Sequence, residues 1–151
     1  MSYAESTKVP IEKTQADIHK LVKSQGANRY GLMEDEETGE VTIGFMIEGR
    51  QIRFRIQTAA LSAFMKTPER GLQRSRAQAL QAQAQDTRSR WRSLFLAVKA
   101  KFDSIDRGIE TFDQAFMAHV VLPDGKTIAE AIGPQITAMV DTGEAPRLLL
   151  T

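Results

Sequence analysis

The stretch WRSLFLAVKAKFDSIDRGIETFDQAF, residues 91–116, carries the longest regular pattern of apolar side chains in this sequence. Its apolar residues recur at steps of four and three, the spacing that places side chains on one face of an α-helix. This apolar stripe consists of Trp91, Phe95, Val98, Phe102, Ile105, Ile109, Phe112 and Phe116. The stripe predicts a helix lying along a buried surface, and Gly108 inside it predicts a break. Thr111 and Gln114 have the spacing of a capping box, so we expect a second helix to begin there and the pair to be kinked.

An alternating segment, VTIGFMIEGRQIRFRI, lies upstream at residues 41–56. Apolar residues occupy every second position in each half, which is the period of a β-strand, and the glycine between the halves predicts a hairpin turn. Residues 28–33 predict a shorter strand that joins this hairpin through an acidic turn. The sequence therefore predicts a three-stranded antiparallel meander with one apolar face, whose other face exposes Arg53 and Arg55.

Helical patterns flank the predicted sheet. Residues 10–25 repeat apolar residues at helical spacing and end before Gly26, which is typical of a helix stop. Thr127 and Glu130 form another capping box, which opens a C-terminal helix. Pro134 lies inside that helix, so we expect the helix to be kinked or split there.

Together these elements predict an α+β fold in a single domain over residues 1–151. Its parts are an N-terminal helix, the three-stranded antiparallel meander, the long kinked helical pair and a C-terminal helix, with the apolar tail from Gly143 docked on the body. Residues 66–90 are rich in Arg, Gln and Ala but have almost no apolar face. We expect an exposed helix there or a flexible arm that becomes ordered on binding.

The composition excludes several classes of protein. Hydrophobic residues make up 42% of the chain and charged residues 26%, as expected for a globular protein. The sequence contains no cysteine, which excludes disulfides, thiolate metal sites and a cysteine nucleophile. No apolar run is long enough to cross a membrane and no export signal opens the chain, so we expect a soluble, cytoplasmic protein.

Charge is distributed unevenly along the chain, although the net charge is only +1. Residues 60–101 contain nine basic residues against two acidic ones, whereas residues 34–40 contain five acidic residues. Such a layout steers a polyanion to one face, or lets two copies of the chain attract each other.

The basic residues allow three interpretations. Long cationic side chains beside an apolar stripe commonly pack their stems on the core and keep their charges in water. Alternatively, they bind phosphates, and the use of Arg rather than Lys over residues 70–92 favours bidentate phosphate contacts. A third possibility is an arm that binds an acidic protein. The candidate nucleic-acid-binding residues are Arg53, Arg55, Arg70, Arg74, Arg76, Arg88, Arg90, Arg92 and Lys99. No exposed aromatic residue is interleaved with them for base stacking.

No pattern for catalysis or metal binding is found. His19 and His119 each lack a second ligand at metal-binding spacing. The acidic residues at 34–40 lack the ligand alternation and the central glycine of a calcium loop. Asp103 and Asp106 have the spacing of solvated helix charges. We therefore expect a non-catalytic protein without metal or cofactor.

Three blocks of the chain resemble a family of small proteins encoded by tailed bacteriophages. They are KVPIEKTQADIHKLV at 8–22, VTIGFMIEGRQIRFRI at 41–56 and RSRWRSLFLAVKAKFDSIDRGIETFDQAFMAHVVLPDGKTIAE at 88–130. The resemblance implies a role in the cytoplasm of an infected bacterium and brings no catalytic residues. The element order also resembles the double-stranded-RNA-binding fold in outline, although the linker before the basic helix is long for that fold.

The functional prediction is a non-catalytic phage accessory protein that binds nucleic acid through an Arg-rich helix surface, largely without sequence preference. One alternative is an inhibitor that binds a host protein, such as an antiviral defence component. A second alternative is a structural subunit of the virion. The length of the apolar stripe also suggests a homodimer in which helices pair across an axis.

Overall fold

The structure, a computed structural model, describes residues 4–144. Its helices are α1 Ile11–Ser24, α2 Arg76–Asp106, α3 Phe112–Phe116 and α4 Ile128–Thr142, and its strands are β1 Arg29–Asp35, β2 Glu40–Ile47 and β3 Arg50–Gln57. Short 3-10 turns lie at Leu61–Phe64 and Met117–His119. The α+β prediction, with helices at both ends of an antiparallel meander, is confirmed. No helix within residues 4–144 combines the length and the apolar character needed to cross a membrane.

The sheet has the order β1-β2-β3 and a regular antiparallel register, in which Gly31 pairs with Gly44 and Gly44 pairs with Arg53. Its inner face is apolar, and Ile43 of β2 and Ile52 of β3 are fully buried there. Alternation along the strands places Arg29, Gly31, Met33, Thr42, Gly44, Met46, Gln51, Arg53 and Arg55 on the outer face. The sheet therefore covers the core with one face and presents a mixed cationic face on the other side.

Helices α1 and α2 cover the inner face of the sheet. Ile18 and Val22 of α1 and Trp91 and Val98 of α2 are buried in one cluster with the sheet residues. Asp17, early in α1, contacts Arg92 in the middle of α2, and Gln25, just after α1, contacts Asp106 at the end of α2. The two helices therefore run in the same direction across the sheet.

Most of the apolar stripe is buried as predicted. Trp91, Val98, Phe102 and Phe116 are buried; Phe95, Ile105 and Phe112 are half-buried. Ile109 is the exception, with 73% of its surface exposed, because α2 ends at Asp106 and Gly108, with φ 72°, turns the chain. The capping box of Thr111 is present and starts α3. Apart from Ile109, the side chains of the stripe pack against the chain's own sheet and helices.

Residues 76–90 form the first half of α2. The helix is 31 residues long, and Ser75 caps it in a capping box with Gln78. This half contacts the rest of the chain: Ala79 is fully buried, and the Gln83 amide donates to the carbonyl of Ala59 at 3.0 Å. The N-terminal half of α2 therefore continues the helix that carries Trp91.

Helix α4 begins with the predicted capping box of Thr127 and is continuous through Pro134. Of the two alternatives expected there, a kinked helix or a split one, the split does not occur, because an exposed proline removes one backbone hydrogen bond while the turns on either side keep theirs. No side chain of α4 is buried, although its sequence is apolar. The expected docking of the tail concerns residues 145–151, which lie outside the described residues.

Candidate nucleic-acid interface

Arg92, at the centre of the predicted basic surface, is bound inside the protein. Its Nη1 donates to Oδ2 of Asp17 on α1 at 3.2 Å, and its guanidinium lies 4.4 Å from the ring centroid of Phe95. The hydrogen bond from Lys13 lowers the pKa of Asp17 against an opposing effect of burial, and the bond from Arg92 lowers it further. Asp17 is therefore held as the anion that joins α1 to α2.

Arg90 and Arg88 also have internal partners. Arg90 donates from Nε to Asp86 at 2.6 Å and from Nη1 to the carbonyl of Gln57 at 3.1 Å, which ties α2 to the end of β3. Arg88 donates to the side-chain oxygen of Gln85 at 2.6 Å. Arg92 bonds α1 and Arg90 bonds the end of β3, whereas Arg88 bonds within α2, so the three do not share one partner surface.

Arg74 and the two arginines of β3 are bound as well. Arg74 donates to the carbonyl of Phe64 at 3.1 Å and so closes the loop before α2. Arg53 and Arg55 both donate to Glu130 of α4, at 3.3 and 2.9 Å. Six of the eight candidate arginines therefore have hydrogen-bond partners within the described residues.

Three predicted cations remain exposed. Within residues 4–144, Arg70, Arg76 and Lys99 form no ion pair and no side-chain hydrogen bond. Lys99 lies 5.9 Å from the ring of Phe95, on the α1 side of α2, whereas Arg70 and Arg76 lie near the start of α2. The structure does not bring these three residues together.

A different surface combines cations with a stacked aromatic pair, of which one ring is exposed and the other is half-buried. His19 on α1 and Tyr30 on β1 stack with their ring centroids 4.2 Å apart and their planes 5° from parallel. A short turn through Gly26, whose φ is 101°, joins the end of α1 to β1 and places the tyrosine beside the helix. His19 is exposed, and burial raises the pKa of the Tyr30 phenol, which stays neutral near pH 7.

Two exposed cations line a pocket with this pair, and a third is adjacent to His19 in the sequence. Lys23 and Arg29 line a shallow pocket of about 160 Å³ together with the two rings, and Lys20 follows His19 on α1. None of the three cations has an ion pair within residues 4–144. We call these five residues, His19, Lys20, Lys23, Arg29 and Tyr30, the α1–β1 surface. It offers a planar ring for stacking and positive charge for phosphates.

The acidic residues form no comparable site. Within residues 4–144, no group of three or more His, Asp or Glu side chains is close enough to hold a metal ion. Asp35 accepts hydrogen bonds from the backbone of Thr38 and Glu37, and these bonds lower its pKa despite opposing desolvation. The acidic turn at 34–40 is therefore organised around its own backbone.

No pattern in the sequence pointed directly to the α1–β1 surface. His19 lies beside the apolar face of a helix, and Tyr30 occupies an ordinary strand position. Only the packing of α1 over β1 makes the two rings neighbours, and the turn that aligns them lies between the two elements. An exposed histidine and a strand aromatic on either side of a short turn would have been the only hint.

Comparison of this chain with protein-family models, with curated proteins and with solved structures finds no match.

Proposed function

We propose that this protein binds nucleic acid without catalysing a reaction, and that it does so largely independently of sequence through the α1–β1 surface. The observation that carries the proposal is the parallel stack of His19 and Tyr30 beside cations that have no acidic partner within residues 4–144. The proposed ligand, nucleic acid, is the one predicted from the sequence. The proposed site is the α1–β1 surface instead of the Arg-rich surface of α2. The resemblance to phage proteins supports a setting in an infected bacterial cell.

The chemistry of the surface fits a polyanion that carries planar groups. Lys20, Lys23 and Arg29 replace counterions at phosphates, which supplies affinity without sequence information. The outer side of the exposed His19 ring extends the existing stack to a base, and stacking tolerates every base because each has a π-face. This combination gives general binding rather than readout of a sequence.

The test is binding of fluorescein-labelled oligonucleotides, measured by fluorescence anisotropy at 50 to 300 mM salt. The triple variant K20E/K23E/R29E should lose at least tenfold in affinity, and the slope of log K against log salt should fall by about 2. The matched control is K8E/K66E/K126E, which makes the same change of charge at exposed lysines elsewhere. Equal losses in both triple variants, or no binding by the wild type at 50 mM salt, contradict the proposal.

One observation favours a protein partner as a second candidate. Helix α4 buries none of its side chains and leaves Ile136 and Val140 exposed at 43% and 72%. Exposed apolar residues on one helix are typical of a protein-binding surface. This supports the alternative of an inhibitor that binds a host protein, or of a virion subunit.

Two measurements separate those alternatives from nucleic-acid binding. A host-lysate pull-down after nuclease treatment should recover a stoichiometric protein partner if the chain is an inhibitor, and I136D/V140D should abolish its capture. Light scattering of the pure protein should show large assemblies if the chain is a virion subunit. A monodisperse species that captures no protein leaves nucleic-acid binding as the supported function.

A further inference from the structure

Helix α4 ends in a segment that is both apolar and exposed. Its first turn is attached to the body of the protein, since Ile128 donates its backbone N–H to the carbonyl of Val120 at 2.9 Å. Beyond that turn, the hydrogen bonds of residues 136–144 stay inside the helix and its cap. Ile136 and Val140 lie one turn apart on this half, and both are exposed. Exposed apolar side chains one turn apart on a helix are typical of a surface that a partner covers.

The charge of α4 is entirely negative. Residues 128–144 contain three acidic residues and no basic one, so their net charge is −3. Glu130 binds two arginines of β3, whereas Asp141 and Glu144 form no ion pair within residues 4–144. A helix C-terminus carries a partial negative charge, and the last turn of α4 adds Asp141 to it without a basic residue. The end of α4 therefore attracts a cationic surface. We call Ile136, Val140, Asp141 and Glu144 the α4 patch.

The start of α2 has the opposite charge. Residues 70–80 contain three arginines and no acidic residue, so their net charge is +3. Arg70 and Arg76 form no ion pair within the part of the chain that the structure describes. A helix N-terminus carries a partial positive charge, and the first turn of α2 adds Arg76 to it without an acidic residue. The start of α2 therefore attracts an anionic surface.

Two exposed leucines accompany these arginines. Leu80 lies one turn after Arg76 on the same face of α2 and is 44% exposed, and Leu72, in the loop before the helix, is 57% exposed. Hydrogen bonds order that loop, since Thr67 donates its backbone N–H to the carbonyl of Leu72 at 2.8 Å and accepts from the N–H of Leu72 at 3.0 Å. The exposed position of Leu72 is thus fixed by the loop. We call Arg70, Leu72, Arg76 and Leu80 the α2 patch.

We propose that the α4 patch of one copy of this chain docks on the α2 patch of a second copy. Each patch exposes two large apolar side chains, and the unpaired charges and helix poles of the two patches are opposite in sign. A contact made in both directions closes a dimer, whereas a contact made in one direction continues to a ring or a filament. This inference goes beyond the proposed function and does not depend on it, because the α1–β1 surface contributes no residue to either patch.

A second copy fits these patches better than nucleic acid does. Phosphate contacts require the arginines of the α2 patch but leave its two leucines unused, and leucine offers no ring on which a base can stack. The α4 patch repels a polyanion, because both of its charged side chains are acidic. Docking of one patch on the other uses the apolar and the charged residues of both.

Charge reversal tests the contact by sedimentation velocity on nuclease-treated protein, over a series of micromolar concentrations at low salt. The variants R70E/R76E and D141K/E144K each place like charges across it, so each should raise the dissociation constant of self-association at least about tenfold. R76E and D141K also place the favourable charge at a helix end, so the thermal midpoints should equal or exceed that of the wild type. The matched control K8E/K126E reverses two exposed lysines elsewhere and should associate as the wild type does.

Mixing the two variants tests whether the patches meet each other. In the mixture, each variant meets the opposite charge on the other in both directions, so an equimolar mixture should associate about as tightly as the wild type, although neither variant does so alone. A wild type that is monomeric at every concentration overturns the inference, and so does association that both variants retain. Two dissociated variants whose mixture stays dissociated show that the patches do not dock on each other, which also overturns it.

Discussion

Arg92 on α2 donates to Asp17 on α1 across 3.2 Å, and both side chains are largely shielded from solvent. Arg92, which follows Trp91 in the sequence, is therefore a structural contact between the two helices that cover the sheet. Mutation of this arginine is therefore expected to destabilise the fold. A loss of nucleic-acid binding by such a variant would follow from that loss of stability.

The variant R92A should lower the free energy of unfolding by about 1–2 kcal/mol, since it removes both the ion pair with Asp17 and the contact with the Phe95 ring. Urea denaturation measures the change. The control R107A removes an exposed ion pair with Asp103 and should change stability by less than about 0.5 kcal/mol. Equal stability of the two variants would show that the Arg92 contact does not join the helices.

Phe116 should be the most sensitive position in the apolar stripe. It is fully buried and lies 5.0 Å from the ring of Phe102 and 4.8 Å from that of Phe112, so F116A leaves a cavity. We expect a loss of about 3–5 kcal/mol in the free energy of unfolding. The control I109A removes an exposed member of the same stripe and should cost no more than about 0.5 kcal/mol. Thermal unfolding monitored by circular dichroism distinguishes the two; a similar midpoint for both contradicts the burial of Phe116.

His119 should make stability depend on pH below its ordinary pKa of 6.5. Burial lowers the pKa of His119 in the folded state, and the charge of Lys101 lowers it further, against a bond to the Arg53 backbone that raises it. As the pH falls below 6.5, the unfolded chain binds the proton first, so the free energy of unfolding decreases towards the folded-state pKa.

The variant H119F keeps a ring stacked on Phe54, whose centroid lies 4.0 Å from that of His119, and removes the titrating group. Its thermal midpoint should be flat from pH 6.5 to 5, where the wild type declines. A decline of equal size in H119F would assign the pH dependence to another group.

Glu130 should restrain the cations of the outer face. In the variant E130Q, glutamine still suits the capping box with Thr127, because both Glu and Gln occupy that position. The substitution removes the negative charge that holds Arg53 and Arg55. We expect affinity for nucleic acid to rise about threefold at low salt, the change that one weakened exposed ion pair allows. Anisotropy titrations measure it. A fall in affinity would show that Glu130 positions Arg53 for binding.

The local elements could be predicted because each depends on residues a few positions apart. The capping boxes at Thr111 and Thr127 and the break at Gly108 form where the sequence indicates. The exposure of Ile109 was not predicted, because the apolar periodicity of the sequence continues through the turn at which the chain changes direction. The sequence left a kinked and a split α4 open at Pro134, and the helix is not split because the cost of one lost hydrogen bond is smaller than the preference of the flanking turns for helix.

The candidate site could not be predicted in the same way. Its cations are common residues at surface positions, and what distinguishes them is the lack of an acidic neighbour within residues 4–144.

By itself the sequence determined the helices, the meander and most of the buried stripe, because hydrogen bonding and the periodicity of burial act over one or two turns of chain. Only the tertiary structure decided which charges are free. Asp17 neutralises an arginine 75 residues away, and Glu130 binds one 77 residues away. Coulombic attraction depends on distance in space and not on separation along the chain, so packing alone selects these partners and leaves Lys23 and Arg29 beside the stacked rings.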